Sequence, residues 1–360
     1  MSIWISDPGT LADFLSAPPA RIGLDTEFIR ERTYWPQLAL VQIAIGGEVL
    51  LIDPLVPGMA AVLKPLLENP AVLKIMHSAS EDLIALQRGC GAIPQPLFDT
   101  QIAAALAGIG AGLGYQRLVQ DLLGVTLPKG ETRSDWLRRP LSPAQLEYAA
   151  DDVRHLFALH DRLQNRLDEL GRGAWLAEDA ARLVATAASD GADRWPHLSL
   201  RTAQFLDAEA QRRLLRLLRW RDRQARESDR PRSWILDNEL AVLLARTPPA
   251  DAEALQAQLD AHPKAPRKLG PAIWRALSTP LDEEAAMPLA SSSERDKARL
   301  KRMQDAVSAR SAELGLPDGV LASRRYLEAM LESGDWPEAL SGWRKAQLEN
   351  TLQPLIGAGV

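Results

Sequence analysis

Between Gly23 and Phe28 the chain reads GLDTEF, straight after an apolar approach. In a strand, residues i and i+2 face the same side, so Asp25 and Glu27 aim two carboxylates at one place, about 7 Å apart along the strand. Such a pair repels itself and is costly to bury, which points to a missing cation; the alternative is a solvated strand end. Two further acidic stretches extend the set. KIMHSASEDL (Lys74–Leu83) runs from a strand into a helix and places Glu81 and Asp82 near the strand's carboxyl end, the edge where open α/β sheets bind ligands. YAADDV (Tyr148–Val153) lies in a helix, where Tyr148 and Asp152 share a face at i and i+4 and Asp151 is nearly as well placed at i+3. Taken singly, each has a structural reading: a first-turn acid, a half-buried packing ring, a pair of solvated charges.

The elements that must carry these residues follow from period and punctuation. Strands are expected at Ile3–Ile5, Arg21–Glu27, Leu38–Ile45, Val49–Ile52 and Val72–Met76, with Gly46–Gly47 turning a hairpin. Helices are expected near Thr10–Leu15, Met59–Leu67, Ser80–Gln87, Thr100–Ala107 and Tyr115–Leu122. One long helix is expected from Pro143 to Leu170, capped by Ser142 and stopped by Gly171. A meander followed by strand–helix alternation gives a mixed sheet with helices on its faces. After Ser189 the strand patterns end. Ser189–Ser199 reads as a linker and Thr279–Ser293, rich in Pro, Ser and acids, as a connector between two helical stretches. Those stretches share a sparse pattern (Ala225, Pro231, Leu236, Leu240–Leu244 against Ala312, Pro317, Leu321, Leu327–Leu331) that suggests a duplicated helical domain.

Composition narrows the classes. The chain has 360 residues, 46% of them hydrophobic, enough for two or three domains. Met1–Thr10 has no signal-peptide pattern and no apolar run is long enough to span a membrane. Cys90 is the only cysteine, which excludes an internal disulfide and a multi-thiolate zinc site; a cytoplasmic protein is expected. The net charge of −5 argues against a general nucleic-acid coat, but between Phe205 and Trp234 nine arginines face five acids. Arg212, Arg216, Arg219, Arg223, Arg226 and Arg230 recur at spacings of four and three, a stripe along one helix face. It reads either as a phosphate-binding surface or as a solvated face bridged to Asp222 and Glu227.

Asp25-x-Glu27 on a strand, Asp82 in HSASED and Tyr148-x-x-x-Asp152 on a late helix resemble, in order and spacing, the three motifs of the DEDD 3′–5′ exonucleases, tyrosine subgroup. Within that group LDTEF, TYWPQLALVQIA, FDTQIAAAL, ETRSDWLRRPLSPAQLEYAADDV and the helical tail resemble the ribonuclease D family over essentially the whole chain, most strongly from Gly23 to Phe157. The resemblance implies an α/β ribonuclease H-like exonuclease domain at 1–190, followed by two all-α HRDC-type domains at 200–280 and, more divergent, 295–360. Carried over by position, it implies Asp25, Glu27, Asp82 and Asp152 as metal ligands, taking Asp82 over Glu81 and Asp152 over Asp151. Hard oxygen donors without a Cys or His cluster suit Mg²⁺ or Mn²⁺. Two such ions about 4 Å apart would serve an in-line displacement at phosphorus. Tyr148, with a reference pKa near 10, would orient the attacking water rather than deprotonate it.

The same likeness implies a 3′–5′ exoribonuclease releasing 5′-monophosphates from RNA with a free 3′ end, tRNA precursors above all, and acting as a monomer away from membranes. Phe28 could stack on the terminal base or sit inward as a core aromatic. His77 could touch substrate or be a hydrogen-bonded structural histidine. Lys129 and Arg133, in the polar loop before Trp136, could meet phosphates, while Trp136 reads as an anchor under that loop. Two rivals remain: a DNA 3′–5′ exonuclease, since nothing visibly reads a 2′-hydroxyl, and a catalytically silent nucleic-acid-binding protein using its HRDC modules.

Overall fold

The structure, a computed structural model, describes residues 2–128, 130, 134–189, 191, 193–290 and 294–356. Six strands form one mixed sheet: β1 (Ser2–Ile5), β2 (Arg21–Ile29), β3 (Gln37–Ile45), β4 (Glu48–Ile52), β5 (Leu73–Met76) and β6 (Leu97–Asp99), in the order β1-β4-β3-β2-β5-β6. The antiparallel β2–β3–β4 meander sits at the centre, and β1, β5 and β6 add in parallel. The five expected strands are present. β6 escaped notice because three residues carry too little periodicity to register.

Helices cover both faces. On one side lie α1 (Pro8–Leu15), α2 (Met59–Glu68) and α3 (Ser80–Cys90), whose Leu11, Leu63 and Leu83 pack against Ile22, Leu24 and Ile43. α4 (Thr100–Leu106) follows β6 directly and α5 (Tyr115–Leu123) comes next. α6 (Pro143–Arg154) and α7 (Leu156–Glu169) take the other face, where Ala149, Val153 and Leu156 meet Leu40, Ala44 and Leu51. α8 (Gly173–Ala188) closes the unit.

Between Glu27 and Phe28 the β2–β3 register slips, so that Glu27 faces Leu40, Phe28 faces Leu38, and Ala39 is the extra residue. The bulge is held by Arg139, which donates to the Ala39 carbonyl at 2.6 Å while pairing with both Asp53 oxygens at 2.8 Å. Period-2 alternation is thus intact through Asp25 and Glu27 and is broken only beyond them.

The single helix expected from Pro143 to Leu170 is two. Its start is as expected, with Ser142 accepting from the Gln145 amide and Gln145 reaching back to the Ser142 amide. Its interior is interrupted at His155 (φ −103, ψ 0). The cause is Tyr115, whose hydroxyl donates to the Asp151 carbonyl at 2.9 Å and accepts from the His155 amide at 3.2 Å. In an unbroken helix those two backbone groups would bond each other. A side chain wedged into the ladder breaks the helix there, about two turns after Tyr148 and three residues beyond Asp152.

Two helical units follow. α9 (Ala208–Glu227) and the helices Asn238–Arg246, Ala252–Ala261 and Gly270–Ser278 build a separate core around Leu214, Trp220, Leu244 and Ile273. Tyr34, from the β2–β3 loop, is buried in that core, and Asp229 accepts from the amides of Tyr34 and Trp35 at 3.0 Å each. The last unit, Glu294–Leu314, Arg324–Ser333 and Trp343–Ile356, shares its apolar core with the α6–α7 side of the first. Trp343 stacks on Trp175 at 4.4 Å, and Arg344 pairs with the buried Asp179 of α8. Among the described residues no helix is long and apolar enough to cross a membrane.

Candidate active site

β2 delivers Asp25 and Glu27 to the face that α6 covers, and α6 supplies Tyr148 and Asp152. Asp82 arrives from the first turn of α3 and lies beneath Thr26, whose hydroxyl donates to Asp82 Oδ1 at 2.5 Å. All four carboxyls feel one another. Asp25 is held well above the usual carboxylate range by burial, then by the charges of Asp82, Asp152 and Glu27. Burial, Asp152 and Asp82 push Glu27 up to about 9. Asp82 and Asp152 each rise to about 7, chiefly through burial. Asp25 and Glu27 are only partly exposed, and desolvation is the larger force on both.

Among the described residues no basic group is among the charges acting on Asp25 and Glu27. The donors are hard oxygens, which fit Mg²⁺ or Mn²⁺ and not a softer ion. The fit is one of chemistry and not yet of closure: among the described residues no three His, Cys, Asp or Glu side chains are gathered tightly enough to hold an ion as they stand. A cavity of about 1090 Å³ runs along α9, lined by Arg216, Arg219, Trp220 and Arg223 and by none of the four carboxyls.

The two ambiguous pairs separate by partner. Glu81 forms an ion pair with Arg30 at the surface, whereas Asp82 is 8% exposed and turned to Thr26. Asp151 is taken up by Arg154, whereas Asp152 is met by Tyr148, whose side chain supports its ionised form. Burial and then Asp152, Glu27 and Asp25 raise the Tyr148 phenol further above its usual value near 10, so it keeps its proton at neutral pH. Its ring lies 6.1 Å from that of Trp136, which is buried, 3% exposed. The Gly130 backbone passes so close that a Cβ there would sit 1.9 Å from Tyr148 Cε2; only glycine fits.

The remaining candidates fare differently. His77 is committed on both ring nitrogens: Nδ1 meets Thr100 Oγ1 at 2.8 Å and Nε2 meets the Leu113 carbonyl at 3.0 Å. Burial holds its pKa down, and the ring is hydrogen-bonded within the fold, as the structural reading expects. Phe28 is half-buried against the apolar layer beneath α1–α3, the core reading. Lys129 and Arg133 lie outside the described residues. The arginine stripe is largely consumed within the protein. Arg212 pairs with Glu209, Arg219 with Glu283 and Arg226 with Asp222, while Arg223 and Arg230 stand exposed. Arg216 is no surface residue: it clasps Glu284 at 2.5 and 2.6 Å, with both side chains nearly buried. Arg216→Glu is therefore expected to destabilise the α9 unit by about 3–5 kcal/mol, the cost of breaking a buried pair. Arg223→Glu should leave its denaturant midpoint unchanged.

Three residues of the site gave little warning in the sequence. Thr26 sits between the two ligand candidates of β2, on the opposite face. Tyr115 acts through a helix with its partners more than thirty residues away. Asp99, only 1% exposed, accepts from the amides of Ser78 and Ala79 and from those of Gln101 and Ile102. It thereby fixes the turn, with Ser78 at φ 57, that presents Asp82. Its signal was an Asp-Thr step opening a helix, an N-cap pattern.

The family model described as 3′-5′ exonuclease matches residues 2–168, and the HRDC domain model matches 210–277. A ribonuclease D of Xanthomonas oryzae pv. oryzae is 66% identical over 360 residues, covering 99% of both chains. The chain belongs to the ribonuclease D family. A ribonuclease D of Pseudomonas paraeruginosa is 37% identical, covering 97% of this chain and 96% of its own. The crystal structure of Escherichia coli RNase D superposes with a TM-score of 0.84 at 31% identity, covering 99% of this chain and 98% of that one. As a ribonuclease D family member the chain is a 3′–5′ exoribonuclease acting on RNA, with an exonuclease domain of mixed sheet and flanking helices followed by an HRDC domain. The family's activity is metal-dependent.

Raised carboxyl pKa values carry a sign. A group whose pKa is higher in the folded state holds a proton there that the unfolded chain has released. Its stabilising share is complete below the ordinary carboxylate range and is lost as pH climbs through the folded value. Metal-free protein should therefore lose thermal stability as pH rises through about 7, where Asp82 and Asp152 ionise, and on towards about 9 for Glu27. Melting curves in chelator check this, and Mg²⁺ or Mn²⁺ should flatten the slope.

Proposed function

We propose that Asp25, Glu27, Asp82 and Asp152 hold two divalent ions, Mg²⁺ or Mn²⁺, and that the enzyme removes 3′-terminal nucleotides one at a time as 5′-monophosphates. The observation that carries this is the mutual charge burden of four carboxyls, with no basic group among the described residues acting on Asp25 and Glu27. A fold has no reason to keep such a cluster unless a cation offsets it. The ions would supply Lewis acidity for in-line displacement at phosphorus. Tyr148, protonated and anchored by Asp152, orients the attacking water through its hydroxyl. Thr26 and Asp99 steady Asp82, and the helix break made by Tyr115 sets the outlook of Asp152.

We assign residues 1–190 to the exonuclease domain, 200–280 to the HRDC domain and 295–360 to a divergent second HRDC-like unit. The middle unit has a core of its own, into which the β2–β3 loop inserts Tyr34, and the core shared by the last unit with α6–α7 makes that unit a brace. The substrate proposed is the 3′ tail of a structured RNA, tRNA precursors above all, trimmed by a monomer in the cytoplasm. The E. coli relative is described as an exoribonuclease involved in structured RNA processing. Of the arginine stripe, the contacts proposed to the RNA body fall to Arg223 and Arg230, which are exposed.

The test offers purified protein a 3′-extended tRNA, an unstructured RNA and a matched DNA, with Mg²⁺ or with chelator. Nucleoside 5′-monophosphates should appear first from the extended tRNA, and chelator should stop them. Equal or faster loss of DNA would make the protein a DNA exonuclease. Tight binding with no mononucleotide release would make it a silent binding protein.

A further inference from the structure

β3 reads QLALVQIAI, and in the middle of this apolar run stands one polar side chain, Gln42. It is 0% exposed, and neither its carboxamide nitrogen nor its oxygen has a hydrogen-bond partner in the protein. A buried amide with both ends unpaired is a net cost, which an apolar residue of the same shape would avoid. Its position gives the reason. In the antiparallel β2–β3 ladder Gln42 lies directly opposite Asp25, as Leu40 does opposite Glu27 and Ala44 opposite Gly23. Directly opposed residues share a face, with Cβ atoms about 5 Å apart. That face is the one beneath α6–α7: a Cβ added to Gly23 would meet Ala44 at 3.1 Å and Leu156 at 3.2 Å.

We infer that Gln42 is a positioning residue for Asp25. Its amide nitrogen donates to the Asp25 carboxyl oxygen turned away from the metal, fixing which oxygen Asp25 presents. Asp25 has one neighbour that steadies it already, the Thr26 backbone amide, which can hold only one of its two oxygens. The ladder register puts the two side chains on one face, and among the described residues no other group claims the Gln42 amide. Partners of this kind, one step removed from a metal, set ligand orientation, and losing one typically weakens the metal by about 10- to 100-fold.

The inference rests on Asp25 being a metal ligand, and the test separates the two. Gln42→Met keeps the side chain's length and volume and deletes both polar ends. Mn²⁺ binding to the otherwise intact protein is followed by electron paramagnetic resonance, alongside thermal melting in chelator and kinetics on a short oligoribonucleotide. The expected result is Mn²⁺ affinity about tenfold weaker, a lower kcat with KM for RNA unchanged, and a metal-free melting temperature equal to or above wild type. A merely structural glutamine would instead move the melting temperature and leave Mn²⁺ affinity alone. Should Gln42→Met fail to fold, Gln42→Asn keeps an amide but draws it back from Asp25, and the same loss of Mn²⁺ affinity is expected. Wild-type Mn²⁺ affinity in either folded variant overturns the role of Gln42. Absence of Mn²⁺ binding in the wild type overturns the ligand assignment beneath it.

Discussion

Asp25→Asn is expected to reduce hydrolysis by several orders of magnitude while the metal-free protein melts at the same temperature or higher. The two effects share one cause. In the proposed site the carboxylate holds the ions, and without them burial and the charges of Asp82, Asp152 and Glu27 make its ionised form costly. An isosteric amide removes the repulsion and the metal ligand together. Asp152→Asn should behave alike, because Asp152 is pushed up by the same burial. Asp151→Asn should not. It lies about 100° away around α6 and is engaged by Arg154, so most activity should survive. Rate measurements on the three purified variants, with melting curves in chelator, decide the matter. Near-normal turnover in Asp25→Asn or Asp152→Asn would dissolve the two-ion site.

Tyr148→Phe carries the second large effect. The ring keeps its place beside Trp136 and above Gly130, and only the hydroxyl is lost. With that hydroxyl orienting the water, the rate constant for a bound oligonucleotide should fall about 10²-fold or more, with little change in binding. Because the phenol stays protonated, the variant should show the loss across the neutral pH range rather than on one limb of the profile. Weak binding with normal turnover would make Tyr148 a substrate contact instead.

Local spacing explains what could be read in advance. Asp25 and Glu27 were paired by the strand period, and Tyr148 with Asp152 by the helix period; both periods survive in the fold. Neither period chose between Glu81 and Asp82, or between Asp151 and Asp152. That choice depends on where Arg30, Thr26 and Arg154 sit. The longest errors were non-local. The helix break at His155 is caused by a tyrosine 40 residues earlier, invisible to any window along α6–α7. Arg216 repeats at surface spacing with its neighbours, yet its partner Glu284 is 68 residues away in a stretch that reads only as an acidic connector. Gln42 drew no reading from the sequence, because its meaning requires the register that sets it against Asp25.

The ion site itself can be seen by anomalous diffraction from crystals grown with Mn²⁺ and a non-hydrolysable oligoribonucleotide. Two manganese peaks are expected among the carboxyls of Asp25, Glu27, Asp82 and Asp152, with the 3′-terminal phosphate between them and the Tyr148 hydroxyl beside the attacking side. A catalytically active preparation whose manganese lies elsewhere, with those four carboxyls unliganded, would contradict the assignment.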